Sequence, residues 1–244
     1  MNFLSRKIRN SKIIFYTPNR ALKLCSLMNR ETEILDEIDK LKKTDIFYDI
    51  GACEGRFSLY AASKNIASLA FEPEKLNFTI LKKNIKLNNF KKRIRAFQVA
   101  ISSSQKNGVL LIGQDWPGGH WKKLKDSKHR PDLKFKIRKT QAVKIYSLDN
   151  IIKNKKLPFP NLLKIDADGS EFSILQGALN VLKSKELKTI IIEFFISRKT
   201  YASNIESMIS KLKKLGFLFK YRKKIENNLY NYIFTKKKIN RTKN

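Results

Sequence analysis

Short apolar runs rich in β-branched residues alternate with stretches whose apolar side chains recur at helical spacing. That alternation restricts the chain to a parallel sheet wrapped by helices. The runs are "DIFYDI" (45–50), "SLAFE" (68–72), "RAFQVAI" (95–101), "NLLKID" (161–166) and "KTIIIEFF" (188–195). Helices are expected over about 30–43, from about Gly55 to Ser63, and from Pro73 to Asn89 with Leu76, Ile80 and Leu87 on one face. A further helix follows Asp166, with Phe172, Leu175, Leu179 and Leu182 sharing a face. Ile205, Met208, Ile209, Leu212 and Leu215 mark the last one, which Gly216 can end in the left-handed conformation.

Two segments break the parallel pattern. "FLFKY" (217–221) and "LYNYIFT" (229–235) are joined too closely for a parallel crossover and are expected to form an antiparallel hairpin. "GVLLIG" (108–113) and "TQAVKIYSL" (140–148) can pair as an extra hairpin around the loop "GQDWPGGHWKKLKDSKHRPD". The organisation expected is a basic N-terminal extension and helix (1–44), one α/β domain (45–235) and a basic disordered tail (236–244).

With 244 residues, 42% of them hydrophobic, the chain can bury one substantial core. No apolar run approaches the roughly 20 residues of a membrane span, so a soluble, uncleaved, cytoplasmic protein without a transmembrane segment is expected. Cys25 and Cys53 stand in unlike contexts, which encodes neither a disulfide framework nor a zinc site. The formal charge of +31 draws attention to nucleic acid or an anionic membrane as a peripheral partner. Most of that charge is lysine, scattered among asparagine and isoleucine, a pattern that AT-rich coding also produces, and both readings stay open.

Chemistry concentrates where strands end. In "FYDIGACEG" (47–55) a buried strand breaks into a glycine turn ahead of a helix, the arrangement that presents backbone N–H groups to a polar ligand. A dinucleotide fingerprint would need glycine where Cys53 and Arg56 stand. Glycine at the first and fifth positions, Gly51 and Gly55 after Asp49, is instead the form of S-adenosylmethionine-binding loops. Gly51 permits the tight turn, Gly55 lets the methionine end of that cofactor approach the backbone, and Asp49 can accept hydrogen bonds from the loop. Glu72 ends the next strand, where a carboxylate can hold both ribose hydroxyls; the competing reading is an acid favouring the following helix dipole. Asp166, Asp168 and Glu171 bring carboxylates to the same sheet edge, or merely cap a helix through Asp168 or Ser170.

Taken together, "FYDIGACEGRFSLYAA", "AFEPEKLNFTILKKNIKLN", "YSLDNI", "LLKIDADGSEFSILQGA" and "IIIEF" resemble the FkbM family of S-adenosylmethionine-dependent methyltransferases over about residues 31–222. The resemblance implies a Rossmann-like class I methyltransferase fold, α/β, mostly parallel with an antiparallel final strand and helices on both faces. It places Asp49, Gly51 and Gly55 at the cofactor, Glu72 at its ribose, and Asp166 and Gly169 beside the transferred methyl. The chain departs from the family pattern in Cys53, where a small polar residue is usual, and in "DADG", where Asp168 is shorter than the family's glutamate. Glu33 echoes a family glutamate or is an ordinary helix acid.

The activity implied is O-methylation of a hydroxyl on a saccharide or related metabolite. A base helps with an alcohol, and Asp166, Glu193 and His120 are the candidates. Trp116 and Trp121 offer an apolar platform for a sugar ring or simply fold onto the core. His129, among lysines and arginines, reads as solvated. RNA methylation is the rival enzyme reading, supported by charge and opposed by "IDADG" in place of the "[DN]PP[YF]" of nucleic-acid N-methyltransferases. A non-catalytic basic module for RNA or anionic membrane is the third reading. No metal is expected, because Asp166, Asp168 and Glu193 could meet at one edge yet lack a diagnostic ligand spacing.

Overall fold

The computed structural model describes residues 2–127, 134–196, 199–226 and 228–237; His129 and nearly all of the basic tail lie outside them. The N-terminal segment, expected only as an extension, pairs β1 (Phe3–Ile8) with β2 (Ser11–Tyr16) as an antiparallel hairpin. It is followed by α1 (Arg20–Cys25) and α2 (Thr32–Asp39). Alternation then takes over with β3 (Ile46–Ile50), α3 (Arg56–Ser63), β4 (Ala67–Phe71), α4 (Lys75–Leu87) and β5 (Ile94–Phe97). Pro73, expected in the first turn of α4, falls ahead of the helix, and Glu74 caps it, its carboxylate accepting from Leu76 N at 2.8 Å and Asn77 N at 2.7 Å.

The run read as one strand over 95–101 divides. After β5 the chain leaves the sheet edge and β6 (Ala100–Ser102) joins a second sheet with β7 (Lys106–Ile112), β8 (Lys122–Leu124) and β9 (Lys139–Ser147), in the order β6-β9-β7-β8. The expected pairing of 108–113 with 140–148 is there, antiparallel, with Leu110 opposite Gln141. Ser147 caps α5 (Leu148–Lys155), its Oγ accepting from Asn150 N at 3.2 Å.

Next come β10 (Leu162–Ile165), α6 (Glu171–Gln176), α7 (Leu179–Lys183), β11 (Thr189–Phe195), α8 (Lys199–Lys214), β12 (Phe217–Glu226) and β13 (Leu229–Lys236). The single helix expected after Asp166 breaks at Gly177. A side chain there would run into Ser102 and Ser147, and its carbonyl accepts Asp149 N at 3.0 Å. The break turns Leu179 off the shared face, leaving it 51% exposed, while Leu175 and Leu182 stay buried. Gly216 ends α8 at φ 87°, as expected.

The central sheet runs β12-β13-β11-β10-β3-β4-β5, with β11, β10, β3, β4 and β5 parallel and β13 antiparallel to both its neighbours. Apolar layers cover both faces. Ile34, Ile38, Phe57 and Tyr60 pack on one; Ile174, Val181, Met208 and Leu212 pack on the other. This is the class I methyltransferase architecture, and it sends the turns after β3, β4, β10 and β11 to one rim of the sheet. No helix among the described residues is long and apolar enough to cross a membrane.

Candidate active site

A cavity of about 580 Å³ opens at that rim. Its floor exists because two turns approach closely. Gly51, at φ 76°, follows β3, and a Cβ on it would fall 1.7 Å from the Asp166 carbonyl oxygen after β10. Only glycine fits there. The Gly51 and Ala52 amides then both donate to the Phe71 carbonyl, at 2.9 and 3.1 Å, which ties this turn to the end of β4.

Glu72 directly follows β4 and lines the cavity. Its Oε2 accepts Cys53 N and its Oε1 accepts Glu74 N, each at 2.9 Å, so the carboxylate fastens the glycine turn to the start of α4 while lining the cavity. Burial pushes this carboxyl up to about 7. Each oxygen retains a further lone-pair direction for a ligand hydroxyl.

Gly55 and Asp49 sit elsewhere than the cofactor-loop reading places them. Gly55, at φ 88°, lies against α4, where a Cβ would meet the Leu81 side chain, and neither it nor Asp49 lines the cavity. Asp49 is fully buried on β3. It accepts Ser58 Oγ at 2.8 Å and has Lys164 Nζ at 3.5 Å. The loop amides expected to bond Asp49 turn instead to Phe71 and Glu72.

Lys164, a lysine inside an apolar strand, is the partner that the sequence reading passed over. It stands 3.0 Å from Asp166, which lines the cavity. Burial alone would raise the Asp166 carboxyl, but the charge and hydrogen bond of Lys164 hold it below its ordinary value. Glu193, at the end of β11, is pushed well above its ordinary value by burial and then by the charges of Asp166 and Glu31. One carboxylate oxygen from each of Glu31, Asp166 and Glu193 lies within 4.8 Å of the other two.

Glu31 was also missed. It precedes α2 in the left-handed conformation, at φ 55°, pairs with Arg56, and accepts a 3.4 Å hydrogen bond from Asn231 Nδ2. Nothing in "NRETE" distinguishes it from a surface acid. Glu33, singled out instead, is buried away from the cavity, accepting Asn231 Nδ2 at 2.7 Å with Lys223 3.3 Å away. The carboxylate triad has the spread of an oxygen cage for a cation, but Lys164 and Arg56 already stand against it.

The loop after β7 closes another side. Asn77 of α4 accepts Gly118 N at 3.0 Å and donates to the Gly119 carbonyl at 3.4 Å, while Asn19 Nδ2 donates to the Pro117 carbonyl at 2.8 Å. His120 and Trp121 are thereby held at the cavity; Trp116 is exposed and does not line it. Asp168, at φ 47°, lines the cavity and accepts Lys122 N at 3.2 Å. Neither Asp168 nor Ser170 caps α6. No side chain caps it: Glu171, its first residue, reaches back to the preceding turn, accepting Ala167 N at 3.2 Å and Gly169 N at 3.0 Å, and burial pushes it up to about 7.

Acids are enriched in the cavity relative to the chain. Seven acidic and five basic side chains line it, in a protein with 52 lysines and arginines against 21 acids, and burial favours the neutral form of two of the acids, Glu72 and Glu193.

Residues 49–219 match the model of the methyltransferase FkbM domain. Methyltransferase sdnD of Sordaria araneosa is 28% identical over 163 residues, which are 58% of this chain and 63% of that protein, so the chain spans less than two thirds of its relative. Among solved structures, methyltransferase FkbM from Methylobacillus flagellatus KT superposes with a TM-score of 0.51 at 15% identity, over 80% of this chain and 45% of that one. The N-terminal domain of human METTL16, in complex with SAH, gives 0.50 at 14%, over 96% and 72%. At such identities the structural likeness bears on the fold.

Proposed function

From the premise that the chain belongs to the methyltransferase FkbM domain family, we propose that it transfers a methyl group from S-adenosylmethionine to a hydroxyl of a saccharide or related metabolite. Family membership is what the match over residues 49–219 shows; the methyl transfer, its donor and its acceptor are the proposal. The observation that carries the donor is Glu72, a buried carboxylate at the end of β4 that fastens the glycine turn and lines the cavity. Two further features fit the group. Gly51 leaves the floor free of a side chain, and the enrichment of acids along the wall suits a ligand whose sulfonium and ammonium outweigh its single carboxylate.

Bound there, S-adenosylmethionine supplies an activated methyl carbon, so the protein's work is alignment and removal of one proton. Glu72 is the residue to hold the ribose hydroxyls. Asp166, kept ionised by Lys164, is the group able to accept the hydroxyl proton of the acceptor, and Glu193 beside it shares that proton. His120 faces the cavity from the opposite loop and stands as the second base. Trp121 supplies a flat apolar surface.

A thermal-shift series tests the donor. S-adenosylmethionine should stabilise the wild-type chain and the surface variant Asp126→Ala, and should not stabilise Glu72→Ala. No shift in the wild type would end the reading. Labelled methyl transfer into pools of glycans and nucleotide sugars, with RNA as a parallel arm, tests the acceptor. Label in RNA alone would replace the saccharide.

A further inference from the structure

The cavity extends past the carboxylates into walls that a bare sugar would not need. Leu24, Leu27 and Met28 line it from the segment ahead of α2, and Phe195, Ile225 and Leu229 line it from the ends of β11, β12 and β13. These two segments meet: Arg30 and Glu226 form an ion pair at 2.8 Å, and Glu31 reaches Asn231. Leu24 and Leu27 are 56% and 40% exposed, so the described residues leave them uncovered, and Trp121, at 50%, lines the same cavity. Trp121 is held there at φ 58°, a conformation that disfavours a bulky residue and persists only where its surroundings impose it.

The aliphatic side chains of these walls offer no hydrogen bonds, and Arg30 and Glu226 among them are paired with each other. A polyhydroxylated face laid on these walls would lose its bonds to water without replacement, whereas an apolar body gains by the contact. The same opening leads inward to Asp166, Glu193 and Glu31, where only a polar group is at home. Resting on the methyl-transfer reading above, we propose that the acceptor is amphipathic. Its reacting hydroxyl sits at the carboxylate triad, and a contiguous apolar body occupies the walls formed by Leu24, Leu27 and Met28 with Phe195, Ile225 and Leu229.

Two glycosides test this directly on the full chain. Octyl β-glucoside, kept below its micelle concentration, and methyl β-glucoside are titrated by calorimetry, with and without S-adenosyl-homocysteine. A buried methylene strengthens binding roughly fourfold, so two seated methylenes already give more than about tenfold in favour of the octyl compound. The double variant Leu24→Ser with Leu27→Ser changes only exposed side chains and should erase that preference; Leu218→Ser, on the exposed edge strand, should keep it. Equal affinities, absence of binding by both glycosides, or a preference that survives the double variant would overturn the inference. S-adenosyl-homocysteine binding is read separately. Its failure strikes the donor reading, while its success with indifferent glycosides strikes this inference alone.

Discussion

Replacing Gly51 by alanine should be the most damaging single methyl group that can be added to this chain's turns. Three glycines of similar backbone conformation provide an internal scale: Gly216 at φ 87°, Gly55 at φ 88° and Gly51 at φ 76°. At Gly216 an added Cβ meets nothing within 4 Å, so Gly216→Ala carries only the left-handed penalty, about 1 kcal/mol. At Gly55 the methyl meets the end of the Leu81 side chain, which can turn aside, and overpacking adds about 1–2 kcal/mol. At Gly51 the obstacle is the Asp166 backbone carbonyl, 1.7 Å from the built Cβ, and no rotamer relieves it. The turn after β3 and the turn after β10 must separate, which also strains the bond from Asp166 N to the Ile50 carbonyl, 3.1 Å long. Conformational penalty, overpacking and one weakened hydrogen bond come to about 4–5 kcal/mol. For a domain of this size that is a loss of roughly 10–20 °C in Tm. Urea titrations of the three variants, with m-values compared, measure the order Gly216→Ala, Gly55→Ala, Gly51→Ala. A Gly51→Ala chain as stable as Gly216→Ala would refute the claim that this contact builds the cavity floor.

Three other perturbations follow from the same geometry. With its carboxyl at about 7 in the folded chain, Glu72 keeps a proton that the unfolded chain has released, so its contribution to stability falls as pH rises from about 4.5 to about 7 and is flat above. Glu72→Gln should remove that part of the slope in pH-dependent melts, leaving the similar part from Glu171, and an unchanged slope would be the contrary result. Lys164→Met strands Asp49 and Asp166 without their cation and should cost about 3–5 kcal/mol in denaturant, partly restored by adding Asp49→Asn; a neutral effect would contradict the pairing. Asn77→Ala releases the loop amide and carbonyl at Gly118 and Gly119, so Trp fluorescence anisotropy should drop and acceptor KM rise while donor affinity holds. Unaltered anisotropy would mean the loop is held by other contacts.

What the sequence discloses here is what one-dimensional periodicity encodes. "DIFYDI", "NLLKID" and "KTIIIEFF" are apolar on both sides because both sheet faces are covered, so they read as central strands without ambiguity. "RAFQVAI" misleads for the same reason: the apolar run is continuous although Gln98 and Val99 carry the chain from one sheet to another. The place of Glu72 beside the glycine turn was legible because one βαβ unit carries both: Cys53 lies 19 residues back across α3, and Glu74 follows at the start of α4. Glu31 and Lys164 were not. Glu31 depends on Arg56 and on Asn231, 200 residues away, and Lys164 depends on a carboxylate across a strand pair. Such partners leave no mark at any local spacing.

The enrichment of acids in the cavity of a basic chain bears on how the composition is read at the site. A ligand in the cavity feels each charge through distance and screening, and at physiological salt the screening length is about 8 Å. The carboxylates of Glu31, Glu72, Asp166 and Glu193 lie within the cavity wall, whereas most of the 52 basic side chains lie on solvated surface. On the proposed reading a cationic donor meets the local acids first, and the +31 of the whole chain reaches it only weakly. The same surface charge acts on whatever approaches from outside, across the rim where Arg30, Lys122 and Lys123 stand. On the reading proposed above, composition bears on how an acceptor is drawn to the opening, and the buried acids bear on which end of it is admitted.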